Sequence, residues 1–529
     1  MNTSDPRPSP VDPPDPKAGT TLSADMGIGP LRSNLVWHAL SFGVQAGVGL
    51  WYIPYLIGHL GLAAYGLVPL ATQIASYLSI LTSAQTSAMG RFLTVDLARR
   101  DLAQASRTFS TAVFGMFGAV VVLIPVAALV ALMAPRLVSI PPGQETDAYY
   151  LLAGALSSVL LILPTNAFLS SSFAKNRLDI QTKLAILGVI IRSALVVVFF
   201  AVLSPAVWQV GAALAATALL TLVLSLVVWR KLAPALHLRW SSFDKQRLAQ
   251  LVGTGNWLIL NQAGVLLLYN IDLVVVSAIA GAVAVGVYGA LLQWPVLVRA
   301  FAGVMGHVLA PTITSRVARG DTQSVALICH QSARLMGFAL SLPAGLICGL
   351  SSPLLRLWLG EEFAAHSWLL VAITAHIPIT SSAQPMAATH VATTQVRWPG
   401  LVSVVSGAAN VGLALLLGRE LQWGMCGVAA ASMVVFVLRN GIFLPWYTAR
   451  ILGQSALPFL GNTAVSAFYT AVVAGATALS SRALHVETWG TLAASAVLAT
   501  IVWGALAHLA LPREDRALLR RLGGLRANP

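Results

Sequence analysis

Asp272, Arg192 and Arg299 are ionisable side chains set inside long apolar stretches, where charge is costly. An ionised group at the centre of a membrane helix costs about 2.5–3.5 kcal/mol on insertion scales, so each must face protein or water. Asp272 is the sole acid so placed. It reads either as an ion or proton site on a hydrated wall, or as a carboxylate that a neighbouring arginine neutralises to lock helices together. Residue types alone leave both readings open. Arginine keeps its proton and offers a planar fork of donors suited to phosphate. Arg192 and Arg299 therefore suggest a passage for an anion, the alternatives being snorkelling and, for Arg299, pairing with Asp272. Arg439 lies near an expected cytoplasmic end and is expected to snorkel.

Uncharged polar residues recur at helical spacing around these groups. Asn34, His38, Ser41, Gln45 and Tyr52 fall on one face, and the next stretch carries Gln73, Ser76, Tyr77, Ser83 and Ser87. Asn261 stands three turns before Asp272, with Gln262 and Tyr269 on the adjoining stripe. Tyr288 shares a stripe with Pro295 and Arg299. Such stripes line a path or tie helices by hydrogen bonds, and the lining role is expected here. His38, His307, His376 and His390 taken singly read as ties. No lysine is followed by Ser or Thr, no HExxH occurs, and Cys329, Cys348 and Cys426 are far apart. These features point to no phosphate-binding loop, zinc site or disulfide framework. No cofactor, metal or catalytic set is expected, and the chain reads as a non-enzyme.

The elements that hold these residues follow from composition. Of 529 residues 57% are hydrophobic and 9% charged, against about 25% charged in soluble domains. That excludes a soluble enzyme, a secreted disulfide scaffold and, despite a net charge of +14, a nucleic-acid binder. Apolar runs of spanning length predict about fourteen transmembrane helices, because the runs are continuous rather than alternating. The expected fold class is thus all-α integral membrane. Residues 1–33 read as a disordered cytoplasmic tail, 34–229 as a six-helix N-lobe, 230–250 as a basic linker and 251–446 as a six-helix C-lobe. Two extra helices across 458–511 and a basic tail, 512–529, complete the chain. The tenth span, near 367–391, is interrupted by Pro378 and Pro385. Counting loops, 25 of the 32 Lys and Arg fall on the side of the termini and four on the other. The positive-inside rule then puts both termini in the cytoplasm, in a multi-pass protein of the inner (cytoplasmic) membrane.

A repeat runs through the chain. Asn34 and Asn256 open the first and seventh spans, and Tyr65-Gly66 recurs as Tyr288-Gly289 at the second and eighth. Six spans per unit is even, so the copies run parallel, with a path between two lobes. The sequences opening those lobes are Tyr52-Ile-Pro-Tyr-Leu-Ile-Gly-His-Leu-Gly-Leu-Ala-Ala-Tyr65-Gly66, then Asn270-Ile-Asp272 and Val285-Gly-Val-Tyr288-Gly-Ala. Across about 34 to 450 the chain resembles the polysaccharide flippases of the multidrug/oligosaccharidyl-lipid/polysaccharide superfamily. That resemblance implies a central cavity, alternating access, and an oligosaccharide on undecaprenyl diphosphate moved to the outer leaflet for cell-surface polysaccharide assembly. Arg192 and Arg299 would then hold the diphosphate. The implied partners are the lipid-linked cargo, the membrane, a coupling ion and a glycan polymerase or glycosyltransferase. A cation- or proton-coupled multidrug or metabolite antiporter of the same fold is the second reading, with Asp272 as its only carboxylate. A membrane-embedded glycan polymerase or ligase is the third.

Overall fold

The computed structural model describes residues 28–79, 89–90, 92–93, 96–97, 99, 101–174, 177–253, 256–512 and 515. Among them there are helices and turns and no strand. Lipid demands this, because a helix closes its backbone hydrogen bonds within its own segment. The first half comprises Ile28–Leu60, Leu62–Ser76, Leu102–Leu137, Glu145–Ala174, Leu178–Val202 and Val207–Leu232. A short helix, Lys245–Gly253, leads to Asn256–Asn270, Asp272–Leu291, Gln293–Ala318 and Thr322–Gly349. Five short helices follow, Ser351–Leu359, Glu361–Ala364, Ser367–Thr374, Ile377–Ser381 and Gln384–Ala392, with Pro378 and Pro385 in the first turns of the last two. Arg397–Leu415 and Gly424–Phe436 complete the second half, and Leu457–Ala483 and Trp489–Ala510 end the fold.

The first helix begins at Ile28 rather than at the expected Asn34. Most of the tails, with Ser83 and Ser87, lie outside the described residues. Eleven helices among the described residues are long and apolar enough to cross a membrane, so the expected count of fourteen is not reproduced. Leu62–Ser76 has only 15 residues, and the tenth span survives as a short apolar piece, Ser367–Ser381. The seventh and eighth spans register as one run, Leu260–Gly303. Inside that run the chain reverses at Gly281, whose φ of 78° is open to glycine at no steric cost.

Helix association in lipid depends on close approach of small residues more than on apolar burial. A Cβ on Gly154 would fall 2.3 Å from the Gly211 carbonyl oxygen, and one on Gly264 would fall 2.4 Å from the Ser403 carbonyl carbon. Those contacts bring Glu145–Ala174 against Val207–Leu232 and Asn256–Asn270 against Arg397–Leu415. Ile28–Leu60 lies along Leu178–Val202 in the first half, the counterpart of that last pair. Leu457–Ala483 and Trp489–Ala510 stack outside the repeat, on Thr322–Gly349. Val121, Val122, Leu129 and Leu132 stay exposed on one long helix, a face for lipid.

The halves meet at the end of the bundle that carries the turns at Gly61 and Gly281. Gly66 and Gly286 touch there: a Cβ on Gly66 would lie 2.7 Å from the Gly286 nitrogen. The Ser139 amide donates to the Ser277 hydroxyl at 3.0 Å, and the Ser139 hydroxyl to the Ser277 carbonyl at 2.9 Å. Trp358 Nε1 donates to the Leu50 carbonyl at 2.6 Å, and deeper in, Asn270 Nδ2 donates to Ser76 Oγ at 3.0 Å.

Candidate functional site

Below those contacts the halves part around a cavity of about 290 Å³. One wall is the first helix, with His38, Ser41, Gln45 and Gly49; another is Leu178–Val202, with Arg192. The second half supplies Gln293, Val296, Leu297 and Ala300. Gln45 donates to Ser41 at 2.9 Å, which fixes the polar face of the first helix. Gly49 leaves room for Gln293, since a Cβ there would fall 2.0 Å from its Nε2. No carboxylate lines this cavity, and Arg192 has no ion pair among the described residues. A part-buried guanidinium on a wall without acids favours an anion.

Asp272 sits elsewhere, inside the second half and 7% exposed. The chain bends at Ile271, so Asp272 opens a new helix, where the amide dipoles favour negative charge. Its carboxylate accepts from Ser432 Oγ at 2.7 Å, from Tyr288 Oη at 2.9 Å and from Asn410 Nδ2 at 3.5 Å. Asn410 and Ser432 also bond each other at 3.0 Å. Asp272 has no ion pair within 4.0 Å among the described residues: its hydrogen-bond partners are neutral hydroxyl and amide groups, and the Arg299 charge acts on it only from farther away. Arg299 instead lies over the Tyr269 ring, 5.4 Å from its centroid.

Arg192 and Arg299 therefore do not converge. Arg192 faces the interhalf cavity, while Arg299 stacks on a residue that lines a second cavity, of about 200 Å³, within the second half. Asn261 and Tyr269 line that second cavity rather than the path between halves. Tyr288 lines neither: it is 0% exposed, spent on Asp272, and its expected lining role is corrected. Gln262 is part-buried and lines neither cavity, and Gln73 keeps a buried carbonyl oxygen without a partner among the described residues. The Asn34 side chain lies outside what is described. Arg439 does not snorkel; it is 7% exposed, turned inward on a π-helical segment, Val437–Phe443. The sequence reading missed Gln293, Asn410 and Ser432. A lone Asn inside the apolar run 400–417 was the available signal for Asn410.

The oxygen set around Asp272 suits a proton or a hard cation. Groups of three or more His, Cys, Asp or Glu able to hold a metal are absent among the described residues. A family described as polysaccharide biosynthesis protein matches residues 31–316. The uncharacterized membrane protein EpsK of Bacillus subtilis (strain 168) is 31% identical over 430 residues, 81% of this chain and 85% of that one. The chain belongs to the polysaccharide biosynthesis protein family. The chain shares its fold with transporters of known structure. The lipid II flippase MurJ in an inward closed conformation superposes with a TM-score of 0.65 at 13% identity, covering 93% of this chain and 100% of MurJ. An inward-facing multidrug resistance MATE family transporter gives a TM-score of 0.57 at 14% identity, covering 79% of this chain and 96% of that one. At such identities these two likenesses establish the fold: an all-helical, multi-pass membrane architecture of two lobes around a central cavity.

Proposed function

We propose that this chain is a flippase that carries an oligosaccharide linked to undecaprenyl diphosphate from the inner to the outer leaflet of the cytoplasmic membrane. The observation that carries this reading is Arg192, unpaired among the described residues, on the wall of an acid-free cavity between the halves. Membership of a polysaccharide biosynthesis family supports the cargo class, and the flippase-like fold supports movement by alternating access. With the termini in the cytoplasm, as the loop charges indicate, the contacts at Gly66 and Gly286 close the outer side and the cavity faces the inner leaflet. An inside-negative potential then helps the anion outward, by about 2.3 kcal/mol per charge per 100 mV. Arg192 is the first contact for the diphosphate. Arg299, beside Ala300 on the same helix, becomes a second contact once it leaves Tyr269. A glycan polymerase or glycosyltransferase is the natural neighbour for a released cargo.

Asp272 and its oxygen partners support an ion- or proton-coupled cycle, and they are also the observation that favours the antiporter reading. Cells lacking the gene separate the two. Loss of surface polymer, with lipid-linked oligosaccharide trapped on the cytoplasmic face and restored by the wild-type gene but not by Arg192→Ala, is the flippase outcome. Normal glycan with slower efflux of cationic dyes would shift the assignment to antiport.

A further inference from the structure

Arg439 is a buried cation that the proposed flippase site does not use. It is 7% exposed, yet among the described residues no carboxylate lies within 4.0 Å of it. Its guanidinium is held by neutral oxygens alone. Nη2 and Nε donate to Ser403 Oγ at 2.6 and 3.2 Å, Nη1 to Asn440 Oδ1 at 2.5 Å, and Nη2 to Asn261 Oδ1 at 3.5 Å. Hydrogen bonds orient the fork but leave its charge uncompensated, and a buried charge without a counter-charge is strongly disfavoured. The fold nevertheless goes out of its way to put it there. Arg439 and Asn440 sit on the π-helical segment Val437–Phe443, a geometry that recurs at functional sites. The close approach at Gly264 sets Asn261 beside Ser403, whose hydroxyl bonds its carbonyl oxygen at 2.7 Å.

The same guanidinium opens onto the cavity of about 200 Å³ inside the second half, whose other walls include Thr380, Gln384, Ala387 and His390. Room, hydrogen-bond donors and a fixed positive charge coincide, and among the described residues no acid lines the space. We infer that this cavity binds a phosphate group, as a free anion or as the head of a phospholipid, with Arg439 as its counter-charge. Four of the five guanidinium N–H groups are already engaged, so Arg439 offers its charge and one remaining Nη1 N–H to a phosphate oxygen, and the Gln384 amide can serve another. The site is separate from the interhalf cavity, which shares none of its lining residues.

The test is binding of radiolabelled inorganic phosphate to the purified full-length protein, by equilibrium dialysis against chloride at constant ionic strength. Wild type is expected to bind saturably. Arg439→Gln should weaken binding about tenfold or more, the loss of one hydrogen bond to a charged group. Ala387→Leu fills the cavity from an exposed position without touching the Arg439 bonds, so it reads the site even if Arg439→Gln fails to fold. Protein in nanodiscs of phosphatidylcholine with and without phosphatidic acid distinguishes the sources. Competition by phosphatidic acid identifies a lipid head, and undisturbed phosphate binding identifies a soluble anion. Binding no stronger than the chloride background, or equal in wild type and both variants, overturns the proposal. So does loss in Arg192→Ala with retention in Arg439→Gln, which would move the site to the interhalf cavity.

Discussion

Ile28–Leu60 packs along Leu178–Val202 in the first half just as Asn256–Asn270 packs along Arg397–Leu415 in the second. Arg192 stands fourteen residues past Leu178, and Asn410 thirteen past Arg397, so comparable depths of equivalent helices carry different chemistry. In the first half that position is a guanidinium without an acid, facing the gap between halves. In the second it is an amide buried within the half, bonded to Ser432 and to the carboxylate of Asp272. One scaffold thus holds a part-buried cation toward a cavity between the halves and a buried acid bonded to neutral donors. The difference teaches that repetition of helices sets where polar groups can stand, while single residue choices decide whether that position turns a cation to a cavity or ties down a buried acid.

That contrast can be broken at each of its ends. Arg192→Ala should have the largest effect. Removing one charge from a desolvated phosphate contact costs about 2–5 kcal/mol, so surface polymer should fall at least thirtyfold at normal expression. Arg192→Lys should recover part of it, because the charge stays and the planar fork is lost. Asp272→Asn keeps one acceptor oxygen, enough for Ser432 or for Tyr288 but not both, and removes the charge. About a tenfold loss of ion-stimulated transport, with thermal stability unchanged or raised, is expected; transport that keeps its ion dependence would reduce Asp272 to a structural tie. At Gly286 an added Cβ would fall 2.2 Å from the Leu62 carbonyl oxygen. Gly286→Ala should therefore cost about 1–3 kcal/mol of stability in the closed contact, and spin-label distances across the end near Gly61 and Gly281 should lengthen. The smallest change is Trp358→Phe, which removes one hydrogen bond to Leu50 and should lower stability by about 1 kcal/mol in a thermal-denaturation series.

Much of the fold was legible beforehand because membrane helices announce themselves through length and apolarity. The proline breaks at Pro378 and Pro385 were legible too, since each removes a helix hydrogen bond and the two fall close together in a polar stretch. The span count was harder. The reversal at Gly281 carries no polar interruption, so by length and hydropathy two crossings count as one run, although the sequence reading set the seventh and eighth spans apart.

The candidate site divides along the same line. Asp272, Arg192, Arg299 and Arg439 were visible as charges in apolar surroundings, because their cost in lipid depends on residue type and depth alone. Their partners were not visible, since a hydrogen bond between residues 160 positions apart, as from Ser432 to Asp272, depends on which helices touch. Tyr288 repeats Tyr65 in sequence, yet only packing turned its hydroxyl to Asp272. Arg439, expected to snorkel near a cytoplasmic end, is buried on a π-helical segment, and no periodicity of 3.6 foretells that register. Composition, span positions and charge asymmetry belong to the sequence itself, because they sum local transfer energies. Which polar groups meet, and which are left to face a cavity, was decided by close approach at Gly66, Gly154 and Gly264, where a single Cβ would keep the helices apart.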